Sequence, residues 1–311
     1  MLNTFPFFRA FHFIPVVALV LLATGCNTDG DDDDDIPTPT GWSNLGNLAI
    51  EGSIVMSIDA NDHLYIGVTA QNSENDAYVM EWNGSSWTQL GALGHPGFVT
   101  SICTAPDGSL YIGATFNLGV DYDEQVRQWN GSSWVTLGDF PGNYLSEMTT
   151  DASGNLYVAD GISVFRWNGS TWSEMNWSGY NHWVNTVLVD AGGNVYAGGG
   201  AFTGGTLGTV GMWNGSGFSA MGDLNDHEQA YAMCTDPAGN IYAAGGFAFQ
   251  SGYVVKWNGS GWVDLGLNGN EMVNTIVSDA DGNIYAAGEF YNANIKRYIA
   301  KYDGTAWTDI F

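Results

Sequence analysis

Four ionisable side chains fall at one recurring place in this chain: Glu51, His182, Glu228 and Glu271 each lie eight residues before an aspartate, namely Asp59, Asp190, Asp236 and Asp279. Gly97 and Asn143 hold the same place before Ala105 and Asp151, and the next position along brings Phe98, Tyr144 and Trp183. His227 adjoins Glu228. If the fold gathers these positions on one rim, three carboxylates and an imidazole make an oxygen-rich cluster. Such a cluster suits calcium or magnesium better than zinc, which favours nitrogen and sulfur. It suits a solvated acidic edge equally well, because the glutamates belong to different repeats and form no local ligand motif. No cofactor is required. A second cluster, Trp177, Tyr180, His182 and Trp183, carries aromatic faces that stack on sugar rings or anchor a peptide, or else cover a seam between packed units. The candidate binding set is therefore Glu51, Tyr144, Trp177, Tyr180, His182, Trp183, His227, Glu228 and Glu271, with no catalytic residue assigned.

The elements that would position them follow from internal repetition. Trp82, Trp129, Trp167, Trp213 and Trp257 each open a Trp-Asn-Gly-Ser motif, and Tyr302 opens a divergent sixth copy, Tyr-Asp-Gly-Thr. A second motif sets Tyr65, Tyr111, Tyr157, Tyr196, Tyr242 and Tyr285 six residues after an aspartate, with Ala105 the one exception. Each unit reads as four short strands. An alternating β-branched strand such as Val273–Ser278 turns through Asp-Ala-Asp-Gly-Asn into a tyrosine-bearing strand. A loop of variable length leads to a third strand such as Tyr253–Trp257, and Asn-Gly then permits a tight hairpin into the fourth. A four-stranded unit of this size cannot bury both of its faces alone, whereas radial stacking buries them all. The expected architecture is an all-β, six-bladed β-propeller of four-stranded antiparallel blades. The Trp-x-x-Leu element occurs seven times, from Trp42 to Trp307, so one end strand is surplus, either an outer strand or a latch across the closure.

The Trp-Asn-Gly-x-x-Trp-x-x-Leu-Gly element, clearest at residues 82–91 and 129–138, resembles repeats of kelch-like propellers and of fungal cortical cell-polarity markers. The Asp-x-x-Gly-Asn-Leu-Tyr-Val-Ala element at residues 151–159 is similar to NHL and two-component-regulator propeller repeats. These resemblances imply the fold and no particular function, since propellers host enzymes, lectins and scaffolds alike. Gluconolactonase-like propellers hold a metal with carboxylate and asparagine ligands, and Glu51, Asn143, Asn185, Asn274 and Glu271 supply those residue types. A metal-dependent hydrolase or lactonase is accordingly the alternative to a binding protein. No nucleophile elbow, His-Glu-x-x-His pair or phosphate-cradling loop occurs, so catalysis is the less supported reading.

Charge narrows the partners. Seven Lys and Arg against 33 Asp and Glu give a formal charge of -26, which excludes a nucleic-acid backbone as ligand. A protein or glycan partner at the loop face, and a monomeric chain, fit that balance. Residues 1–25 carry one charge, Arg9, and a short apolar run, and read as a secretory signal. The run ends in Leu-Ala-Thr-Gly-Cys, which resembles the bacterial lipobox and implies lipidation of Cys26 and a place in the bacterial cell envelope. Asn27 beside it points to the outer membrane by the same analogy. Residues 26–40, with Asp31 to Asp35 consecutive and Pro37 and Pro39 following, read as an acidic tether, leaving 41–311 for the propeller. Cys103 and Cys234 occupy the same place in first strands of opposite blades, too far apart for a disulfide, and are expected as free, buried thiols.

Overall fold

The computed structural model describes residues 52–70, 77–119, 121–177, 182–201, 209–224, 229–246, 253–267, 272–291 and 297–310. Cys26, the acidic tether and the surplus copy at residues 42–46 lie outside the described residues. Blade 1 comprises β1 Gly52–Ile58, β2 Leu64–Ala70, β3 Ala77–Trp82 and β4 Trp87–Gln89. Blade 2 comprises β5 Gly97–Thr104, β6 Leu110–Asn117, β7 Tyr122–Trp129 and β8 Trp134–Thr136. Blade 3 is the smallest, with β9 Glu147–Thr150, β10 Leu156–Ala159, β11 Val164–Trp167 and β12 Trp172–Met175. Blade 4 has β13 His182–Val189, β14 Val195–Ala201, β15 Thr209–Trp213 and β16 Phe218–Asp223. Blades 5 and 6 follow as β17 Ala230–Thr235, β18 Ile241–Gly245, β19 Tyr253–Trp257, β20 Trp262–Asp264, then β21 Val273–Ser278, β22 Ile284–Tyr291, β23 Arg297–Tyr302, β24 Trp307–Asp309. Every sheet is antiparallel with its strands side by side in chain order, and the six sheets form the ring of a six-bladed β-propeller.

The core lies in the seams. Between blades 5 and 6, Ala232, Tyr242, Ala244 and Val254 meet Val273, Ile276, Ile284 and Phe290. Equivalent clusters join blades 1 and 2, 2 and 3, 3 and 4, and 4 and 5. The small residues after each repeat tyrosine are explained by this: alanine or glycine on a second strand admits the larger side chains of the neighbour. Cys103 and Cys234 sit in these seams as free, buried thiols, their ionisation suppressed by burial.

The tryptophan motif stitches one blade to the next. Trp82 pairs directly with Trp87 across its hairpin, as do Trp129 with Trp134, Trp167 with Trp172 and Trp257 with Trp262, their rings 5.2 to 5.4 Å apart. The indole N–H of Trp134 donates to the Leu90 carbonyl of the preceding blade at 2.7 Å; Trp172 donates to Leu137 and Trp307 to Leu265 in the same way. Gly91, at a φ of 62°, lies under the Trp129 ring, where a Cβ would come within 2.9 Å of it. Tryptophan, leucine and glycine in this motif thus form a single inter-blade contact.

At the lower end of blades 3 to 6, where the first strand turns into the second, the aspartate-tyrosine spacing becomes a closed network. In blade 5, Asp236 Oδ1 accepts the Ala238 and Asn240 amides while Oδ2 accepts Asn240 Nδ2 and the Tyr242 hydroxyl, the last at 3.0 Å. Asp151, Asp190 and Asp279 repeat it with the same 3.0 Å tyrosine bond. Burial pushes Asp151, Asp190 and Asp236 upward, but the donated hydrogen bonds outweigh it and all three sit below the ordinary range. At Asp279 the Asn283 amide dominates and the carboxyl falls to about 2. Blades 1 and 2 depart from the pattern: blade 2 carries Ala105 and Ser109 in place of the aspartate and asparagine, and in blade 1 His63 replaces the asparagine and Asp62 adopts a φ of 63° where the other turns place glycine. These aspartates serve the turn.

Candidate functional site

The upper rim, where first strands begin and second strands end, is the end to which the sequence assigns the candidate residues. Glu51, Tyr180, His227, Glu228 and Glu271 lie outside the described residues. His182 opens β13, opposite Ala201. Two candidates do come together. Tyr144, in the loop before β9, packs edge-on against Trp183 of β13, ring centres 5.3 Å apart. The Trp183 ring and the Tyr144 Cβ close over Gly161, whose φ of 88° and tight surroundings leave no space for a side chain; a Cβ there would lie 2.8 Å from the Trp183 ring. Gly161 and Val184 exchange both backbone hydrogen bonds, tying the hairpin of blade 3 to the first strand of blade 4. Tyr144 remains 55% exposed.

Trp177 must be corrected as a surface aromatic. It is 2% exposed and packs edge-to-face on Phe218, 4.9 Å away, within the cluster joining blades 3 and 4. Of the two readings its position allowed, it takes the seam. Of the asparagines of the lactonase-like alternative, Asn274 is buried with its Oδ1 lacking a hydrogen-bond partner, and Asn185 is engaged. Asn185 donates its amide to the Ala230 carbonyl of the next blade, and Ser146, at the corresponding place, donates to Val184. These side chains pin neighbouring first strands together where β13 bulges between Val184 and Thr186. Among the described residues no group of three His, Cys, Asp or Glu side chains is placed to hold a metal ion.

The rim also holds charged groups that the sequence did not single out as partners of one another. Glu124 belongs to β7, where its register partner is Thr115. The Thr115 hydroxyl donates to Oε1 at 2.8 Å, while Oε2 is buried without a hydrogen-bond partner. Asp160 stands three residues after the repeat tyrosine, a place given to Gly199, Gly245 and Gly288 in blades 4, 5 and 6. In those blades the glycine is compulsory, since a Cβ at Gly199 would lie 1.6 Å from the Trp183 carbonyl and one at Gly245 would lie 1.9 Å from that of Gln229. Blade 3 escapes the restriction because β9 does not begin until Glu147, so no first-strand backbone lies across Asp160. Asp160 Oδ1 caps the hairpin by accepting the Ile162 and Ser163 amides; Oδ2 is buried with no partner in bonding geometry, and the residue is 0% exposed.

Burial governs both carboxyls. It raises Glu124 to about 7 against the opposing Thr115 hydroxyl and the facing Leu145 amide, with Asp123 and Asp160 adding repulsion. Asp160 is raised by burial against the amides of Ser163, Ile162 and Asn143. A third carboxylate, Glu147 of β9, is raised to about 7 by burial and accepts the Val187 amide of blade 4 at 3.1 Å. Ser101 makes the corresponding bond to Met148 one blade earlier. Glu147 is therefore a seam pin that carries a carboxylate where Ser101 and Thr186 carry a hydroxyl. Aligning the six copies exposes both anomalies: Asp160 stands where the others carry Val68, Ala114, Gly199, Gly245 and Gly288, and Glu147 where they carry Val55, Ser101, Thr186, Ala232 and Thr275.

No family model matches the chain, and no curated protein matches it. Solved structures do. A chain of the mitotic checkpoint complex shares 13% identity over 91% of this chain and 87% of its own length, with a TM-score of 0.61. The Dos1 propeller shares 13% identity over 77% of this chain and 68% of its own length, TM-score 0.58. YCF48 bound to a D1 peptide shares 15% identity over 84% and 82%, TM-score 0.56. At such identities the likeness is one of fold: this chain is similar to propellers, and the kelch-like and NHL-like resemblance rests on its motifs alone.

Proposed function

We propose that the chain is a lipid-anchored recognition protein of the bacterial cell envelope, whose propeller holds a protein partner at its upper rim without chemical turnover. The observation carrying this reading is the exposed Tyr144 ring braced by Trp183 over Gly161, a rigid aromatic platform made by two adjacent blades. Such a ring offers contact area at little cost in side-chain entropy. Two of the similar structures fit the reading, one being a chain of the mitotic checkpoint complex and the other YCF48 bound to a D1 peptide. Lipidation at Cys26 and the acidic tether would hold the propeller off the outer membrane.

The test is a photo-crosslinking amino acid placed at Tyr144 in the full chain, in intact cells, with Val263 on an outer strand as control. A protein adduct at Tyr144 and none at Val263 is expected. Adducts with glycan only, or none at either position, would contradict the reading. Cys26→Ser is expected to move the protein from the membrane fraction to the soluble one.

A further inference from the structure

Four of the eight exposed large hydrophobic side chains among the described residues fall on one rim, while Ile58, Val135, Val263 and Val277 lie elsewhere. Leu118 and Tyr122, at the β6–β7 turn, and Tyr144 and Ile162, on the blade 3 loops, all belong to the upper rim of blades 2 and 3. Tyr122 is 67% exposed and Ile162 61%. They are linked through polar groups already described. Tyr122 and Glu124 alternate onto the same face of β7, Glu124 faces the amide next to Tyr144, and the Ile162 amide is held by Asp160. Apolar groups of this size collected on one rim mark an interaction surface rather than ordinary scatter.

The charges around them have one sign. Asp121, Asp123, Glu124 and Asp160 lie within this rim, and Glu124 Oε2 and Asp160 Oδ2 lack partners. The nearest cation, Arg127, is already matched: Nε donates to Gln125, Nη1 donates to the Leu93 carbonyl, and the guanidinium lies 4.1 Å over the Phe116 ring. An occupant must therefore bring positive charge. A second copy of this chain, at -26, is repelled, and so is the chain's own run of aspartates.

We propose that the upper rim of blades 2 and 3 is a docking surface for a cationic segment of another protein. An apolar side chain of that segment packs on Tyr122, Tyr144 and Ile162, and an adjacent lysine or arginine pairs with Glu124. This rests on the protein-binding reading above and adds to it the chemistry and the place of the contact. Gly142 closes over Asp160, where a Cβ would meet Oδ2 at 2.5 Å, so Asp160 supplies field beneath the site and Glu124, only half-buried, supplies the contact.

A display library of random peptides is selected on the full chain, and recovered peptides are measured on wild type, Tyr144→Ser, Ile162→Ser and Glu124→Gln, each checked for an unchanged β-sheet spectrum. The recovered peptides are expected to be enriched in lysine or arginine beside an apolar residue. Each variant should weaken binding by about tenfold or more, and Kd should rise with salt. Peptides that bind all variants as tightly as wild type, or that show no basic enrichment, overturn the proposal while leaving protein binding in place. No retained peptide, with retention instead on a glycan array, overturns both.

Discussion

The lower turns and the upper rim of blades 2 and 3 treat the same functional group in opposite ways. Below, Asp151, Asp190, Asp236 and Asp279 each accept three or more hydrogen bonds within six residues of their own chain, and their ionised form is favoured. Above, Asp160 is buried and Glu124 half-buried, each with one buried oxygen unmatched, and their ionised form is disfavoured. A carboxylate repeated in register and fully satisfied belongs to the fold. One that breaks the repeat and lacks a partner lowers stability and calls for an explanation from outside the fold.

The strongest way to break the comparison is to impose the regular upper rim's own constraint. Gly199→Ala drives a Cβ into the Trp183 carbonyl and should cost about 3 kcal/mol in a denaturant melt. Gly217→Ala, with nothing within 4 Å of the added atom, should change stability by less than about 0.5 kcal/mol. Equal effects would mean that the close strand approach at Gly199 is absent.

Glu124→Gln sharpens the contrast through pH. The folded carboxyl titrates at about 7 against an ordinary 4.5, so the folded protein holds a proton that the unfolded chain has released. Wild-type stability must then fall as pH rises from about 4.5 to about 7 and level off above, and the variant at pH 8 should be about 3 kcal/mol more stable. Asp236→Ala runs the other way. It removes four hydrogen bonds and should cost about 1–2 kcal/mol at neutral pH, with the loss shrinking below the ordinary range, where wild-type Asp236 is itself protonated. The smallest change expected is a gain: Asp62→Gly relieves a positive φ in the degenerate blade 1 turn and should add about 0.5 kcal/mol.

The repeated half of the molecule was readable from sequence because each motif is a complete local structure. Trp-Asn-Gly fixes a hairpin and the contact to the blade before it; Asp with Tyr six residues on fixes the lower turn; and the strands Tyr253–Trp257 and Val273–Ser278 fall where their alternation puts them. The rim was only partly readable. Spacing places Tyr144 and Trp183 near each other, but it cannot tell a tryptophan that covers a seam from one that faces water, and Trp177 covers a seam. Nor does spacing show that β9 starts late, which is what lets Asp160 replace a glycine and brings it under Glu124. That relation depends on the path of a loop between blades, for which the repeat gives no template.

The most direct measurement is a side-chain carboxyl titration by NMR on the folded protein, following Glu124 and Asp279 in one sample. The two-sided account predicts midpoints of about 7 for Glu124 and about 2 for Asp279. Both groups titrating together near 4 would contradict it, because the rim carboxylate would then be as well solvated as any surface glutamate and the turn aspartate would gain nothing from its network.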